Sequence, residues 1–191
     1  VDLHHFFFKN RSYTPVPLII IILILAQPSW LSFLLGLAVA LLGESIRFWG
    51  VAYAGSATRT TGRAGGARLI TDGPFGLVRN PLYVGNFFLS LGVVIMCWAW
   101  MPWMVLVHSF LFSLQYYFIV RHEEEYLAHT FPEYKEYRRQ VHRWIPRLSP
   151  CQLTDQIRTQ PNYPKALRSE RNTLQAIVAV SALILIRWYL L

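Results

Sequence analysis

Two short stretches of this chain set charged and hydrogen-bonding side chains where apolar runs meet polar ones. The first is GPFGLVRNPLYVG, Gly73–Gly85, in which Arg79, Asn80, Pro81, Leu82 and Tyr83 stand at the mouth of a long apolar run. Asp72-Gly73-Pro74 reads as a turn. Pro81 suits the first turn of a helix, because it lacks an N–H that a helix start leaves unbonded anyway. A helix beginning there offers free N–H groups and the positive end of its dipole, a receptor for a carboxylate or phosphate. The plainer alternative is a helix start with Arg79 reaching to an interface. The second stretch is Glu123-Glu124-Glu125, directly after another apolar run. Adjacent carboxylates repel one another, so they either cap a helix in water or hold a cation or a sugar hydroxyl. Glu44 and Arg47, three apart near the end of a third apolar run, can pair on one helix face. Charges at that depth are functional suspects, and interfacial pairing explains them equally well.

Other chemistry has less to stand on. His122 is followed by Glu123, but position 126 is Tyr, so the zinc pattern HExxH fails. His122 and His129 share a helix face without the further ligands a metal needs, and no metal is expected. No phosphate-binding glycine loop, dinucleotide fingerprint or nucleophile elbow occurs. Cys97, inside an apolar run, and Cys151, after Pro150, make neither a disulfide framework nor a CxxC site.

The elements that must position these residues are apolar helices. Of 191 residues 54% are hydrophobic, with a formal charge of +8 and a mean hydropathy of +0.33. The apolar residues are clustered and the basic ones crowd between the clusters, which is the pattern of membrane spans with cytoplasmic loops rather than a nucleic-acid surface. Five runs emerge: Val16–Gln27, Trp30 to about Val51, Tyr83–Trp100, Trp103–Val120 and Thr173–Leu191. The first is short for a span of about 20 residues. It follows Lys9 and Arg11 as a signal peptide would, but Gln27-Pro28 stands where a small-x-small cleavage site belongs, so an uncleaved helix is expected. Gly36, Gly43 and Gly50 fall on nearly one face of run two, either for close helix packing or as a groove for a lipid chain.

The link at Met101-Pro102 is uncharged and flanked by Trp98, Trp100 and Trp103, an aromatic belt on the outer side. The loop 52–82 carries Arg59, Arg63, Arg68 and Arg79. Residues 121–150 are polar, with Tyr126, Leu127, Tyr134, Tyr137 and Val141 spaced for an amphipathic helix that breaks at Phe131-Pro132. The expected fold is an all-α integral membrane protein of about five transmembrane helices. Its N-terminus, loop 52–82 and residues 121–172 lie on the cytoplasmic side and its C-terminus outside, with a cytoplasmic pocket formed by the loops and the amphipathic segment. Residues 1–150 form the core, 151–172 a basic linker with Pro161 and Pro164, and 173–191 an additional helix.

GPFGLVRNPLYVG resembles the G-x-Y-x-x-x-R-H-P-x-Y-x-G segment of the isoprenylcysteine carboxyl methyltransferase family, itself related to the phospholipid methyltransferases. EEEYLAHTFPEYKEYRRQVHRWIPRL is similar to that family's second block, with Glu123, Glu124, Leu127, Phe131, Tyr134, Tyr137, Val141, Ile145 and Pro146 in register. The strong match covers residues 68–148; the last forty residues lie outside it. The resemblance implies methyl transfer from S-adenosylmethionine to a lipid-bearing or prenylated acceptor at the membrane. It carries a cofactor role to Asn80, Pro81, Leu82, Tyr83, Glu123 and Glu124, and a catalytic role to Arg79, Glu123 and Glu124. Glu123 and Glu124 would hold the cofactor's hydroxyl or ammonium groups, and Arg79 a carboxylate or phosphate.

Asn80 departs from the family His. An amide keeps a donor and an acceptor but cannot titrate, so a hydrogen-bonding role survives and a base role does not. Pro132 likewise stands where the family has Gly. A carboxylate acceptor, as in isoprenylcysteine O-methylation, needs no general base; a phospholipid amine needs one. A sterol-reductase-like oxidoreductase and a non-catalytic membrane scaffold are the remaining alternatives.

Overall fold

A computed structural model describes residues 14–55, 69–151 and 159–190. Among them are six α-helices: α1 (Val16–Ile24), α2 (Trp30–Ala54), α3 (Pro81–Cys97), α4 (Trp103–Thr130), α5 (Tyr134–Gln140) and α6 (Tyr163–Leu190). A short 3-10 turn, Gly73–Gly76, precedes α3. The chain is all-helical among the described residues. Three helices, α2, α4 and α6, are long and apolar enough to cross a membrane, and α3 is an apolar helix of 17 residues. Against the expectation of about five spans, three of the described helices have full spanning length. Run one forms only the nine residues of α1, about 14 Å of helix against a hydrocarbon core of about 30 Å.

The exterior is apolar as well as the core, and a few charged and polar groups lie inside. Leu31, Leu34, Leu35, Leu41, Leu42, Leu106, Phe110, Val178, Leu183 and Ile186 are exposed, while Glu44, His108, Gln115 and Glu170 are buried. Polar groups that cannot be hydrated turn inward to find partners, and apolar ones turn outward to lipid.

The glycines of run two serve close packing. A Cβ on Gly36 would lie 2.5 Å from the Gly92 carbonyl oxygen, and one on Gly43 would lie 2.6 Å from that of Gly85. The α2 and α3 backbones therefore touch where side chains would hold them apart, and α3, not a lipid chain, fills that face.

At one end of the bundle, Ser29 caps α2 reciprocally with Ser32. Arg187 in the last turn of α6 donates to the carbonyls of Ala26, at 2.6 Å, and Ile24. Trp188 packs on Trp30 with ring centroids 5.0 Å apart. At the other end, α6 starts beside the end of α2, where the Asn162 amide donates to the Ala52 carbonyl at 2.8 Å. It starts at Tyr163, well before the apolar run at Thr173, because Pro164 sits in its first turn, where a proline is tolerated. Residues 163–172 of the expected linker are therefore helical, and residues 152–158 lie outside the described residues. So do 56–68, with Arg59, Arg63 and Arg68 of the loop expected to close the pocket.

Candidate active site

The helix α4 has 28 residues, about 42 Å, so it outruns a hydrocarbon core of about 30 Å. Glu123-Glu124-Glu125 falls where it leaves that layer. At 100° per residue the three carboxylates point three ways. Glu125 faces out and pairs with exposed Arg121 at 3.1 Å. Glu124 is buried and accepts two bonds from Arg143, 3.1 Å from Nε to Oε1 and 2.6 Å from Nη2 to Oε2. Arg79 Nη2 adds a contact of 3.3 Å to Oε1. Glu123 accepts a hydrogen bond of 2.6 Å from the Tyr83 hydroxyl, across from α4 to α3.

The Arg79 segment is held by a strap, residues 141–151, that follows α5. The Arg79 amide donates to the His142 carbonyl at 3.0 Å, the Arg147 amide to Leu77 at 3.0 Å, and the Cys151 amide to Gly76 at 2.8 Å. Asn80 Nδ2 donates to the Arg143 carbonyl at 3.2 Å. Gly73, at φ 58°, lies under the Tyr53 ring, 2.6 Å from where a Cβ would stand, so only glycine fits this corner. The Tyr137 hydroxyl donates to the Phe75 carbonyl at 2.7 Å, and Leu69, Tyr134, Tyr137, Val141 and Cys151 form a small apolar core under the strap. Burial pushes the Tyr134 phenol up to about 12, and burial likewise raises Tyr137 and the Cys151 thiol. The hydrogen bonds that Arg143 donates to Glu124 raise the Arg143 guanidinium.

The two sequence blocks therefore meet: Asn80 and Glu124 are joined through the single residue Arg143. Pro81 is buried, and Leu82 packs toward α2, 2.7 Å from where a Gly50 Cβ would stand. Arg79 pairs with Glu124 and Tyr83 with Glu123, whereas Pro81 and Leu82 seat the helix start. Arg79 Nε and Nη1 are buried without a hydrogen-bond partner.

Beside Tyr83 a cleft of about 410 Å³ runs between α3 and α4, walled by Val84, Phe87, Phe112, Tyr116 and the strap's Trp144. Tyr116 stacks on Phe112 at 4.1 Å and contacts Tyr83 at 4.7 Å between centroids. Sequence reasoning missed Arg143, Trp144 and Tyr116. Arg143 and Trp144 lie inside the quoted second block, and Tyr116 stands two helical turns before Glu123, a spacing that puts both on one face. Among the described residues no three His, Cys, Asp or Glu side chains gather to hold a metal.

The family model for phospholipid methyltransferases matches residues 31–134, from the start of α2 through both sides of this site. The chain belongs to the phospholipid methyltransferase family. It is 36% identical over 125 residues to the cobalt-zinc-cadmium resistance protein CzcN of Cupriavidus metallidurans, covering 63% of this chain and 53% of that protein. It is 31% identical over 125 residues to the nickel-cobalt-cadmium resistance protein NccN of Alcaligenes xylosoxydans xylosoxydans, covering 63% and 54%. The chain spans about half the length of these curated relatives. No solved structure matches it. Family membership suggests methyl transfer at a membrane, and members of the family generally use S-adenosylmethionine.

Proposed function

We propose that this chain transfers a methyl group from S-adenosylmethionine to a lipid-borne acceptor, with the carboxylate of an isoprenylcysteine-type molecule as the favoured acceptor. The observation that carries the reading is Arg79: a buried guanidinium with two unpartnered nitrogens, paired with Glu124, the chain neighbour of the Glu123 that binds Tyr83. Buried donors left unpaired are destabilising, and because Nε and Nη1 point to opposite sides of the guanidinium, a carboxylate satisfies one of them by a single charge-assisted bond. The cofactor carries such a carboxylate together with an ammonium and a sulfonium. The residues fit it: Arg79 would bind the carboxylate, Glu123 the positive groups, and the rings of Tyr83, Tyr116 and Trp144 offer faces to a cation.

When bound, S-adenosylmethionine supplies a methyl group already activated by its positive sulfur. What remains for the protein is alignment and the exclusion of water, worth several kcal/mol. Glu124 and Asn80 do not touch the reacting groups in this reading. Glu124 fixes Arg79 and Arg143, and Asn80 fixes the strap, a task an amide performs as well as an imidazole. The aromatic cleft takes the acceptor's apolar chain and brings its head to Tyr83 and Glu123. The basic loops set this end of the bundle on the cytoplasmic side, with α1 and α3 completing five passes.

A phospholipid amine acceptor is the second reading. It is favoured by the family's description and by Glu123, a half-buried carboxylate at the cleft that could receive the ammonium proton. The names of the relatives extend the reading to a cell's response to toxic metals, with the methylated lipid as the agent. The test is purified protein in lipid with labelled S-adenosylmethionine. Label transferred to a prenylated thiol acid supports the first reading and label in an aminophospholipid the second. Failure of the unaltered protein to bind the cofactor removes both, together with any methyltransferase role.

A further inference from the structure

The last helix, α6, lies outside the family-matched residues, and most of its side chains face outward. Four do not: Ala166, Glu170, Ile177 and Ile184 are buried. Glu170 is the charged one among them, at 0% exposure, against α2. Arg47 of α2 donates to its Oε2 twice, from Nη2 at 2.7 Å and Nε at 3.2 Å. The remaining arm of the same guanidinium, Nη1, donates to Asn86 Oδ1 on α3. Asn86 Nδ2 donates in turn to the Tyr116 hydroxyl on α4 at 3.1 Å. Tyr116 lies against Tyr83, whose hydroxyl is bound to Glu123. Gly85 makes room for this arrangement: a Cβ there would stand 2.6 Å from Arg47 Cγ.

Bonds through low-dielectric surroundings hold their partners firmly, because no water competes for them. Asn86 can present its amide to Tyr116 only while its oxygen is occupied by Arg47. Glu170 takes the other nitrogens of Arg47 at the shorter distances, while Glu44 Oε2 lies 3.5 Å from Nε, so Glu170 is the principal hold on that orientation. We infer that Glu170 is a positioning residue for the candidate site: through Arg47, Asn86 and Tyr116 it holds the Tyr83–Glu123 hydrogen bond. This rests on the reading of that site as the cofactor's seat, and it makes α6 a part of the site rather than an accessory anchor.

The experiment places 3-fluorotyrosine at position 83 in the full chain, in lipid, and follows its fluorine resonance. Glu123→Gln marks where the resonance moves when the carboxylate partner is lost. Glu170→Gln is expected to shift it in the same direction and to weaken S-adenosylmethionine binding roughly tenfold, the size of one hydrogen bond to a charged group. Arg47→Lys keeps a cation for Glu170 but gives up the fork that also holds Asn86. It is expected to produce the same shift, and it serves where Glu170→Gln does not fold. Glu125→Gln, on the exposed face, leaves the resonance in place. An unmoved resonance in folded Glu170→Gln or Arg47→Lys protein overturns the inference. If the unaltered protein binds no S-adenosylmethionine, the reading of function is lost, while the fluorine shift still decides whether the last helix is coupled to Tyr83.

Discussion

Neighbouring carboxylates here have different work, and substitution separates them. Removing Glu124 leaves Arg79 and Arg143 facing each other without their shared anion. Breaking a buried ion pair costs about 3 kcal/mol, so Glu124→Ala is expected to lower the unfolding temperature markedly. Glu123→Gln keeps the shape and a weaker bond to Tyr83; it is expected to unfold near the unaltered protein yet to bind S-adenosylmethionine at least tenfold more weakly, as read by calorimetry. Equal loss of stability in both would contradict the division. Asn80→Ala frees the strap from α3 and costs about 1 kcal/mol, visible as faster proteolysis within residues 142–151, while Asn80→His, carrying a ring N–H, restores protection. Much of this site was legible in the two motif blocks, because Arg, Tyr and Glu at helix ends have few bland uses in an apolar chain. Arg143 was not, since one arginine among several in RRQVHRWIPR carries no spacing signal; only the folded strap selects it. Nor was the separate work of Glu123 and Glu124, because neighbours in sequence point about 100° apart on a helix.

The elements meet under two different physical regimes. Where α2 and α3 cross, backbone touches backbone, so Gly43→Val would drive a side chain into the Leu89 amide nitrogen, 2.4 Å from its Cβ. The helices would have to separate, displacing Arg47 from over Gly85 and costing upwards of about 3 kcal/mol; a fall in both unfolding temperature and folded yield tests it. Under the strap, stability depends on neutral phenols. The unfolded chain ionises tyrosine near 10, whereas folded Tyr134 waits until about 12 and Tyr137 is raised as well. The stabilisation is therefore whole below about pH 10 and is lost as pH climbs toward 12. Tyrosinate absorbance and helix content are expected to change together in that window, and Tyr137→Phe, which lacks one ionising group, should lose less there. The Gly36, Gly43 and Gly50 spacing made the packing face readable in advance. The extent of α6 was not readable: hydropathy begins at Thr173, but a helix continues as far as its backbone bonds and a tolerated Pro164 allow. Which runs would form helices of full spanning length was not readable either, because an apolar run reports burial or lipid contact, not the length over which the chain stays helical.

At the scale of the whole molecule, the bundle has a charged end and an aromatic end, and this polarity sets how it lies in a membrane. The strap, α5 and the start of α6 carry Arg138, Arg139, Arg143, Arg147, Lys165, Arg168 and Arg171, while the opposite end carries Trp30, Trp98, Trp100, Trp103 and Trp188 and, among the described residues, the cation Arg187, already bonded to the end of α1. Basic residues stay on the cytoplasmic side because moving them against the membrane potential is costly. Tryptophans suit either interface, so the charges decide. Cys97 and Cys151 are both buried, which leaves introduced cysteines as the accessible thiols among the described residues. Glu136→Cys on exposed α5 and Trp100→Cys in the exposed α3–α4 link should therefore label oppositely with a membrane-impermeant maleimide. Trp100→Cys is expected to react in right-side-out vesicles, and Glu136→Cys only once vesicles are inverted or opened. Labelling of both from one side would mean that α3 and α4 do not complete a crossing, and the proposed cofactor site could no longer be joined to the cytosol by the same helices that line the cleft proposed for the acceptor.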